Sequence, residues 1–413
     1  MTSDASPVTS TTPHPAETAQ DRSPAAEGAV SAGRLVGVDL ARGLAVFGMY
    51  AVHVGPDATV GGPVGFLMEL ASGRSSTLFA VLAGFTLVLI TGRPVPRTGR
   101  AGRQAVGRIV LRALVLMALG YALTALDTDV NVILAYYGLL FLIVLPLYRL
   151  DAARLAAIAG AGALILPQVL YSIHRAVDDG SWGDAVIAHD PLARLTGSDG
   201  FLELLFMGDY PVLTWLPFMV VGMALARLDL GRALTRARLA WSGAGLTVVG
   251  YGGSWLALHL VPHALSTIAA TGEGSASAAW WSDTAGEPLD SHPWQWLLVA
   301  APHSQTTFSI LGNTGVALAV VAATMTLAAR LPRAARLATP VASVGMISLT
   351  AYTLQIVALW LLGPAADSFS PLALLLAFVG AAMAVAVLIT RLFRRGPLEY
   401  LLHVATRPAR LVP

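Results

Sequence analysis

Repeated apolar runs of membrane-crossing length constrain the fold of this chain more than any other feature. A helix needs about 20 consecutive apolar residues to cross the hydrocarbon core of a bilayer. Runs of that length occur about ten times between residues 36 and 391. The chain is 55% hydrophobic and only 12% charged, whereas soluble domains carry roughly 25% charged residues. We therefore predict an all-α fold, a polytopic membrane helical bundle of about ten transmembrane helices.

The predicted spans fall into two halves of five, separated by a long outer segment. The spans are 36–55, 74–91, 105–124, 131–148, 152–171, 211–228, 239–260, 306–328, 341–362 and 371–391. The corresponding division of the chain is a disordered cytoplasmic tail (1–34), an N-terminal half (35–172), an outer loop (173–210), a C-terminal half (211–405) and a short tail (406–413). The first segment has no apolar run of the kind that a signal peptide requires.

The arginines alternate from loop to loop and predict the orientation of the bundle. Loops that follow odd-numbered spans, with their edges, contain only Arg74, Arg175 and Arg194, whereas the other loops and both tails contain most of the rest. Cytoplasmic loops of membrane proteins carry the excess of positive charge. We therefore expect both termini to be cytoplasmic, in a multi-pass protein of the plasma membrane.

Two missing residue types exclude several kinds of enzyme. All 26 basic residues are arginine and there is no cysteine. Schiff-base chemistry on a lysine, and with it a pyridoxal-phosphate enzyme, is therefore excluded. Thiolate nucleophiles, disulfides and thiolate metal sites are excluded as well. We expect no metal site and no nucleic-acid partner.

The first predicted helix carries charged residues near its start and a histidine at its end. Asp39 and Arg42 are three residues apart and can pair on one helix face. The pair is either an interfacial anchor or a site for an anionic ligand, because a guanidinium presents a planar fork to phosphate. Helix geometry places Arg42 and His53 roughly 20° apart around the axis and roughly 16 Å apart along it. His53 is either a solvated helix end or a general base.

Further candidates lie at the ends of other spans. Arg74 opens the second span and either snorkels from the helix end or stabilises a developing oxyanion. His303 opens the eighth span on the same predicted side as His53, as a helix-entry residue or a second candidate base. Arg108 and Tyr136, in the third and fourth spans, complete the candidate cofactor-binding set with Asp39 and Arg42.

Six segments of the chain, in order, resemble one family. They are VDLARGLAVFGMYAVH (38–53), GRSSTLFAVLAG (73–84), YYGLLF (136–141), YPVLTWLP (210–217), PHS (302–304) and GPLEY (396–400). They are similar to the catalytic region of heparan-α-glucosaminide N-acetyltransferase and its bacterial relatives, including the YeiB-like group. The resemblance covers about residues 35–405. Many relatives carry a histidine in the ninth span where this chain has Gln355.

The resemblance implies transmembrane acyl transfer. Cytoplasmic acyl-CoA, with acetyl-CoA expected, would deliver its acyl group through the bundle to an extracytoplasmic sugar amine or hydroxyl. Arginines led by Arg42 would hold the CoA phosphates, His53 or His303 would act as the base, and Arg74 would stabilise the oxyanion. The implied partners are the bilayer, acyl-CoA, a carbohydrate or small-molecule acceptor and, as one option, a second copy in a homodimer.

Two other classes of function fit the same pattern. A transporter or exporter of a small solute also needs buried polar residues along a central path. A structural membrane partner without activity is the third alternative.

Overall fold

The fold of the described chain is entirely helical. The computed structural model describes residues 24–178, 190, 200–272, 274–286, 293–393 and 395–413. Helix makes up 81% of the structure, and the described residues form no strand. The predicted all-α class is confirmed. Most of the predicted outer loop 173–210 and residues 1–23 of the predicted tail lie outside the described residues.

Each of the ten predicted spans coincides with a helix or with two consecutive helices. The helices are α1 Pro24–Val54, α2 Gly62–Ala71, α3 Arg74–Thr91, α4 Gly99–Thr124, α5 Leu134–Val144, α6 Ala152–Asp178, α7 Phe201–Phe206, α8 Val212–Arg227, α9 Ala233–Leu260, α10 Ala264–Thr271, α11 Thr307–Arg330, α12 Pro332–Leu337, α13 Thr339–Met346, α14 Ser348–Leu362, α15 Pro371–Leu392 and α16 Pro397–Ala405. Helix α1 begins eleven residues before the predicted start of the N-terminal half at 35. The division into domains stays a prediction.

Length and hydropathy identify the membrane-crossing helices. Within the described ranges, six helical segments are long and apolar enough to cross a bilayer. They are Gly62–Thr91, Gly99–Thr124, Ala152–Ala176, Thr307–Arg330, Ser348–Ser368 and Pro371–Leu392. Helices α9 and α10 form a bent pair at 97°, and two shorter apolar helices, Leu134–Arg149 and Val212–Arg227, accompany them. The protein is therefore a multi-pass membrane protein.

Glycines allow the central helices to pack with their backbones in contact. A Cβ atom on Gly84 of α3 would lie 1.9 Å from the Met219 carbonyl oxygen of α8, and one on Gly222 would lie 1.8 Å from that of Val81. Helix α1 meets α13 in the same way, through Gly345. Close approach at small residues is a main source of helix association in membranes, where burial of apolar surface gives little driving force.

The loops gather at two ends in the alternation that the arginines predict. At one end, here called the arginine end, Arg93 after α3 donates to the Leu228 carbonyl after α8 (2.7 Å), and Arg103 donates to the carbonyl of Pro413 (2.8 Å). At the opposite end, here called the histidine end, the His303 ring bonds the Asp209 carbonyl. Loops after even spans and the C-terminus thus share the end that the charge distribution predicts to be cytoplasmic.

Candidate functional site

A basic pocket of about 500 Å³ opens at the arginine end. It is called the arginine basin here. Its charged lining consists of Arg97, Arg108, Arg112, Arg395, Glu399, His403, Arg407 and Arg410. Six guanidinium groups and one carboxylate give the basin a strongly positive field. Such a concentration of positive charge attracts anions and raises their local concentration.

The C-terminal segment forms one wall of this basin because it is hydrogen-bonded to the start of α4. The Gln104 amide donates to the carbonyls of Arg410 (3.0 Å) and Val412 (3.2 Å). The backbone of Gly107 approaches Ala409 closely, where a Cβ atom would lie 3.3 Å from the alanine methyl. Residues far apart in the chain therefore build a single pocket.

His403 lies among the cations of the basin, on a helix too short to cross the membrane. Desolvation and the charges of Arg395, Arg407, Arg410 and Arg108 lower the pKa of His403 below its ordinary value of 6.5. A lowered pKa leaves the imidazole neutral at pH 7. The basin thus contains an imidazole whose protonated form would be stabilised by a bound anion.

A smaller cavity of about 140 Å³, here called the inner cavity, adjoins the basin and lies between the helices of the bundle. Arg112, Met346 and Glu399 line both spaces. Arg42 also lines the inner cavity; it pairs with Asp39 at 3.0 Å and donates to the Thr86 hydroxyl at 3.1 Å. The predicted Asp39–Arg42 pair is confirmed. Two arginines therefore face one cavity between the helices.

Glu399 links the two spaces and also caps a helix. Its carboxylate accepts the backbone N–H groups of Leu349 (2.9 Å) and Thr350 (3.1 Å) and the Thr350 hydroxyl (2.6 Å). These groups belong to the first turn of α14, whose N–H groups have no partner within the helix. The capping role of Glu399 depends on a contact across 50 residues, which no local sequence pattern indicates.

Aromatic side chains that do not line the basin form part of the wall of the inner cavity. Tyr137 and Phe79 line it and stack with ring centroids 5.8 Å apart. Tyr136, which we predicted in the donor site, instead packs against Tyr210, with ring centroids 5.7 Å apart, beside Gly208 of the histidine end. A donor-binding role for Tyr136 stays a prediction. The residue that lines the inner cavity is its neighbour Tyr137.

His303 is held in a defined tautomer at the histidine end. Its Nδ1 lies 3.1 Å from the Asp209 carbonyl oxygen, and a carbonyl can only accept a hydrogen bond. Nδ1 therefore carries the proton of the neutral ring, and Nε2 keeps its lone pair. The backbone of His303 adopts a left-handed conformation, with φ of 59°. Such conformations cost free energy in non-glycine residues and cluster at functional sites.

His303 borders a pocket of about 510 Å³, called the outer vestibule here. The vestibule combines aromatic, acidic and imidazole side chains, among them Tyr171, His174, Asp209, Asp283, Trp296 and His303. Most of this lining comes from the predicted outer loop 173–210 and from residues 283–305, which precede the eighth predicted span. A pocket with aromatic walls and scattered polar groups suits a polar organic molecule.

His53 belongs to the same end of the bundle. Its Nδ1 lies 3.4 Å from Oε1 of Gln355, and it is near enough to His303 for the two imidazoles to interact electrostatically. Gln355 is 1% exposed, and within the described chain its amide nitrogen has no hydrogen-bond partner. Helices α1 and α14 thus bring a second imidazole and an available N–H donor together.

The guanidinium of Arg74 forms hydrogen bonds with other groups of the protein. It donates to the Tyr251 hydroxyl (2.9 Å), to the carbonyls of Glu69 (2.8 Å) and Ser72 (3.2 Å), and to that of Trp281. The side chain is 4% exposed and lies over the Tyr251 ring. These contacts favour a structural role, in which Arg74 connects α3 to α9 and to the segment that contains Trp281. Oxyanion stabilisation by Arg74 stays a prediction.

Sequence reasoning missed two basic residues of the site. Arg112 lies inside the predicted third span and lines both the arginine basin and the inner cavity. A charge within a span was itself a signal, because intramembrane charges are costly and mark functional sites. His403 gave no such signal, since only the folded chain places it beside Arg108. Among the described residues, no group of three His, Asp or Glu is placed to hold a metal ion.

Two protein families match successive parts of the chain. Residues 34–250 match the family described as heparan-alpha-glucosaminide N-acetyltransferase, catalytic. The chain belongs to this family. Residues 276–408 match a second one, described as a protein of unknown function (DUF418), and the two together characterise the YeiB-like family. A comparison with curated proteins finds no match. The protein is thus a member of a membrane acetyltransferase-like family.

Proposed function

We propose that this protein transfers an acyl group, acetyl in the simplest case, from cytoplasmic acyl-CoA to an amine or hydroxyl on the far side of the membrane. The observation that carries the proposal is that the arginine basin and the inner cavity adjoin each other and share Arg112 and Glu399 as lining residues. A polyanionic nucleotide fits the basin by charge, and the uncharged pantetheine arm fits the partly apolar cavity. Family membership supports the same reaction.

The length of the path matches the donor. Arg42 lines the inner cavity and His53 ends the same helix. They are separated by roughly 16 Å along the axis at 1.5 Å per residue. The pantetheine arm extends over a comparable distance, so an arm that passes Arg42 in the inner cavity would bring its thioester towards the level of His53. Movement of Tyr137 and Phe79 would open the way.

The acceptor would approach through the outer vestibule. His303 Nε2 takes the proton as the acceptor nitrogen or oxygen attacks the thioester carbonyl carbon. The carbon–sulfur bond then breaks, and the proton passes from His303 to the departing thiolate, which leaves as free CoA. The buried Gln355 amide nitrogen supplies a donor for the developing oxyanion, and His53 is the second imidazole within reach.

Thiol release from acetyl-CoA by the purified protein tests this proposal. Protein in nanodiscs, with acceptor amines such as glucosamine on the other face, should release CoA faster than protein-free nanodiscs. His303→Ala should abolish the release while CoA binding persists. His259→Ala is the matched control, because this histidine is exposed and, within the described chain, its ring hydrogen-bonds the Trp255 carbonyl of its own helix.

Two results would contradict the proposal. In the first, neither acetyl-CoA nor CoA binds at millimolar concentration, and vesicles that contain the protein take up a small solute. That result would favour the transporter alternative. The second is unchanged CoA release in both His303→Ala and His53→Ala. The acceptor, the homodimer and the plasma membrane stay predictions.

A further inference from the structure

The C-terminal segment from Arg395 onward, most of which matches a family of unknown function, contributes five of the eight ionisable side chains that line the arginine basin. Arg395, His403 and Arg407 lie within residues 276–408, and Arg410 follows closely. Only Arg97, Arg108 and Arg112 come from the half that matches the acetyltransferase catalytic family. The basin is therefore incomplete without the C-terminal segment.

We infer that the segment 395–413 forms a binding wall for a nucleotide bisphosphate, and that His403 takes up a proton when this ligand binds. The inference rests on the proposed function, in which the ligand is the nucleotide portion of CoA. It assigns the recognition of phosphate to the C-terminal segment and leaves the acyl transfer to the helices. The donor would then be held by both halves of the chain.

Position and exposure support the phosphate contacts. Arg395, Arg407 and Arg410 are exposed, and the structure gives the side chains of Arg407 and Arg410 no ion pair within the described chain. The backbone that carries Arg410 is fixed by Gln104 of α4. Guanidinium groups on an anchored backbone are free to form bidentate contacts with phosphate oxygens.

Charged groups from α4, from α16 and from the segments on both sides of α16 surround His403. Arg108 lies on α4, Arg395 precedes α16, Glu399 lies on α16, and Arg407 and Arg410 follow it. In the free protein, desolvation and these mostly positive neighbours disfavour imidazolium and lower the pKa of His403. A polyanion in the basin reverses the sign of the local field and raises that pKa.

The linkage has a definite sign. Because His403 binds its proton more tightly in the complex, ligand binding takes up protons between the lower pKa of the free protein and the higher pKa of the complex. Affinity for the bisphosphate then increases as the pH falls through that window, by at most tenfold per pH unit for one group. The number of protons taken up does not exceed one.

Isothermal titration of the full-length protein in nanodiscs with adenosine 3′,5′-bisphosphate tests the inference. The wild type should bind it more tightly than adenosine 5′-monophosphate. The double variant Arg407→Ala/Arg410→Ala should weaken binding by about tenfold to a hundredfold, as expected for the loss of charged hydrogen bonds. Arg333→Ala, an exposed arginine of α12 outside the basin lining, is the matched control and should change little.

Repeating the titration in Tris and in HEPES measures the proton uptake, because the two buffers differ in ionisation enthalpy. His403→Gln should retain bisphosphate binding and lose the uptake. Equal affinity in the wild type and the double variant overturns the phosphate wall, and equal proton uptake in wild type and His403→Gln overturns the linkage. Bisphosphate binding without any thiol release from acetyl-CoA would support the inference and contradict the proposed function.

Discussion

Replacement of Gly345 by alanine should disturb both the packing of the bundle and the inner cavity. Gly345 lies on α13, lines the inner cavity and faces the backbone of α1. A Cβ atom there would lie 1.8 Å from the Asp39 carbonyl oxygen and 2.9 Å from the Gly43 nitrogen. Real Cβ atoms essentially never approach a heavy atom closer than 3.0 Å. Helices α1 and α13 must therefore separate by about 1.2 Å.

The magnitude follows from this displacement. Overpacking of a well-packed contact costs about 1–3 kcal/mol of stability. The separation occurs within one helical turn of Arg42, and a misplacement of about 1 Å can reduce an enzymatic rate by about 100-fold. We expect Gly345→Ala to lower both the unfolding midpoint in detergent and the rate of thiol release from acetyl-CoA.

The control is Gly160→Ala on α6, where a Cβ atom would meet no heavy atom within 4 Å. Alanine is the better helix former by about 1 kcal/mol at both positions, so the difference between the two variants isolates the steric term. If Gly345→Ala unfolds at the same temperature as Gly160→Ala and releases thiol at the wild-type rate, the close contact of α1 with α13 is refuted.

Three other changes test separate parts of the structure. Glu399→Ala should lower the free energy of unfolding by about 1–3 kcal/mol, because it leaves N–H groups of α14 without an acceptor; equal stability by chemical denaturation would contradict the cap. Gln355→Leu should reduce thiol release by about 100-fold while CoA affinity stays constant, since the amide beside His53 is assigned to the oxyanion; weakened binding with a normal maximal rate would contradict that assignment. The hydroxyl and the backbone amide of Thr59 donate hydrogen bonds to the Asp57 carboxylate and lower its pKa below the ordinary 3.8. This turn should therefore be stabilised above pH 3.8. Its amide protection, measured by hydrogen exchange, should be lost as the pH falls through the lower pKa of the folded state.

Sequence periodicity was sufficient for the architecture and for part of the site. The ten spans, the alternation of the loops and the Asp39–Arg42 pair depend on apolar run length, charge and the three-residue helical spacing, all of which are local. Arg74 shows the limit of this reasoning. An arginine at a helix end looks the same in sequence whether it binds a ligand or, as here, hydrogen-bonds protein carbonyls and the Tyr251 hydroxyl.

The sequence by itself determined that this chain is a membrane bundle, and it predicted most of the arginines on one side and the candidate histidines on the other. The cost of placing polar backbone and charge in lipid permits few other arrangements. Only the tertiary structure decided which of those residues share a space. His403 meets Arg108, Gln355 meets His53, and His303 turns one nitrogen to the Asp209 carbonyl. These contacts join helices distant in sequence, and they depend on packing that no local pattern specifies.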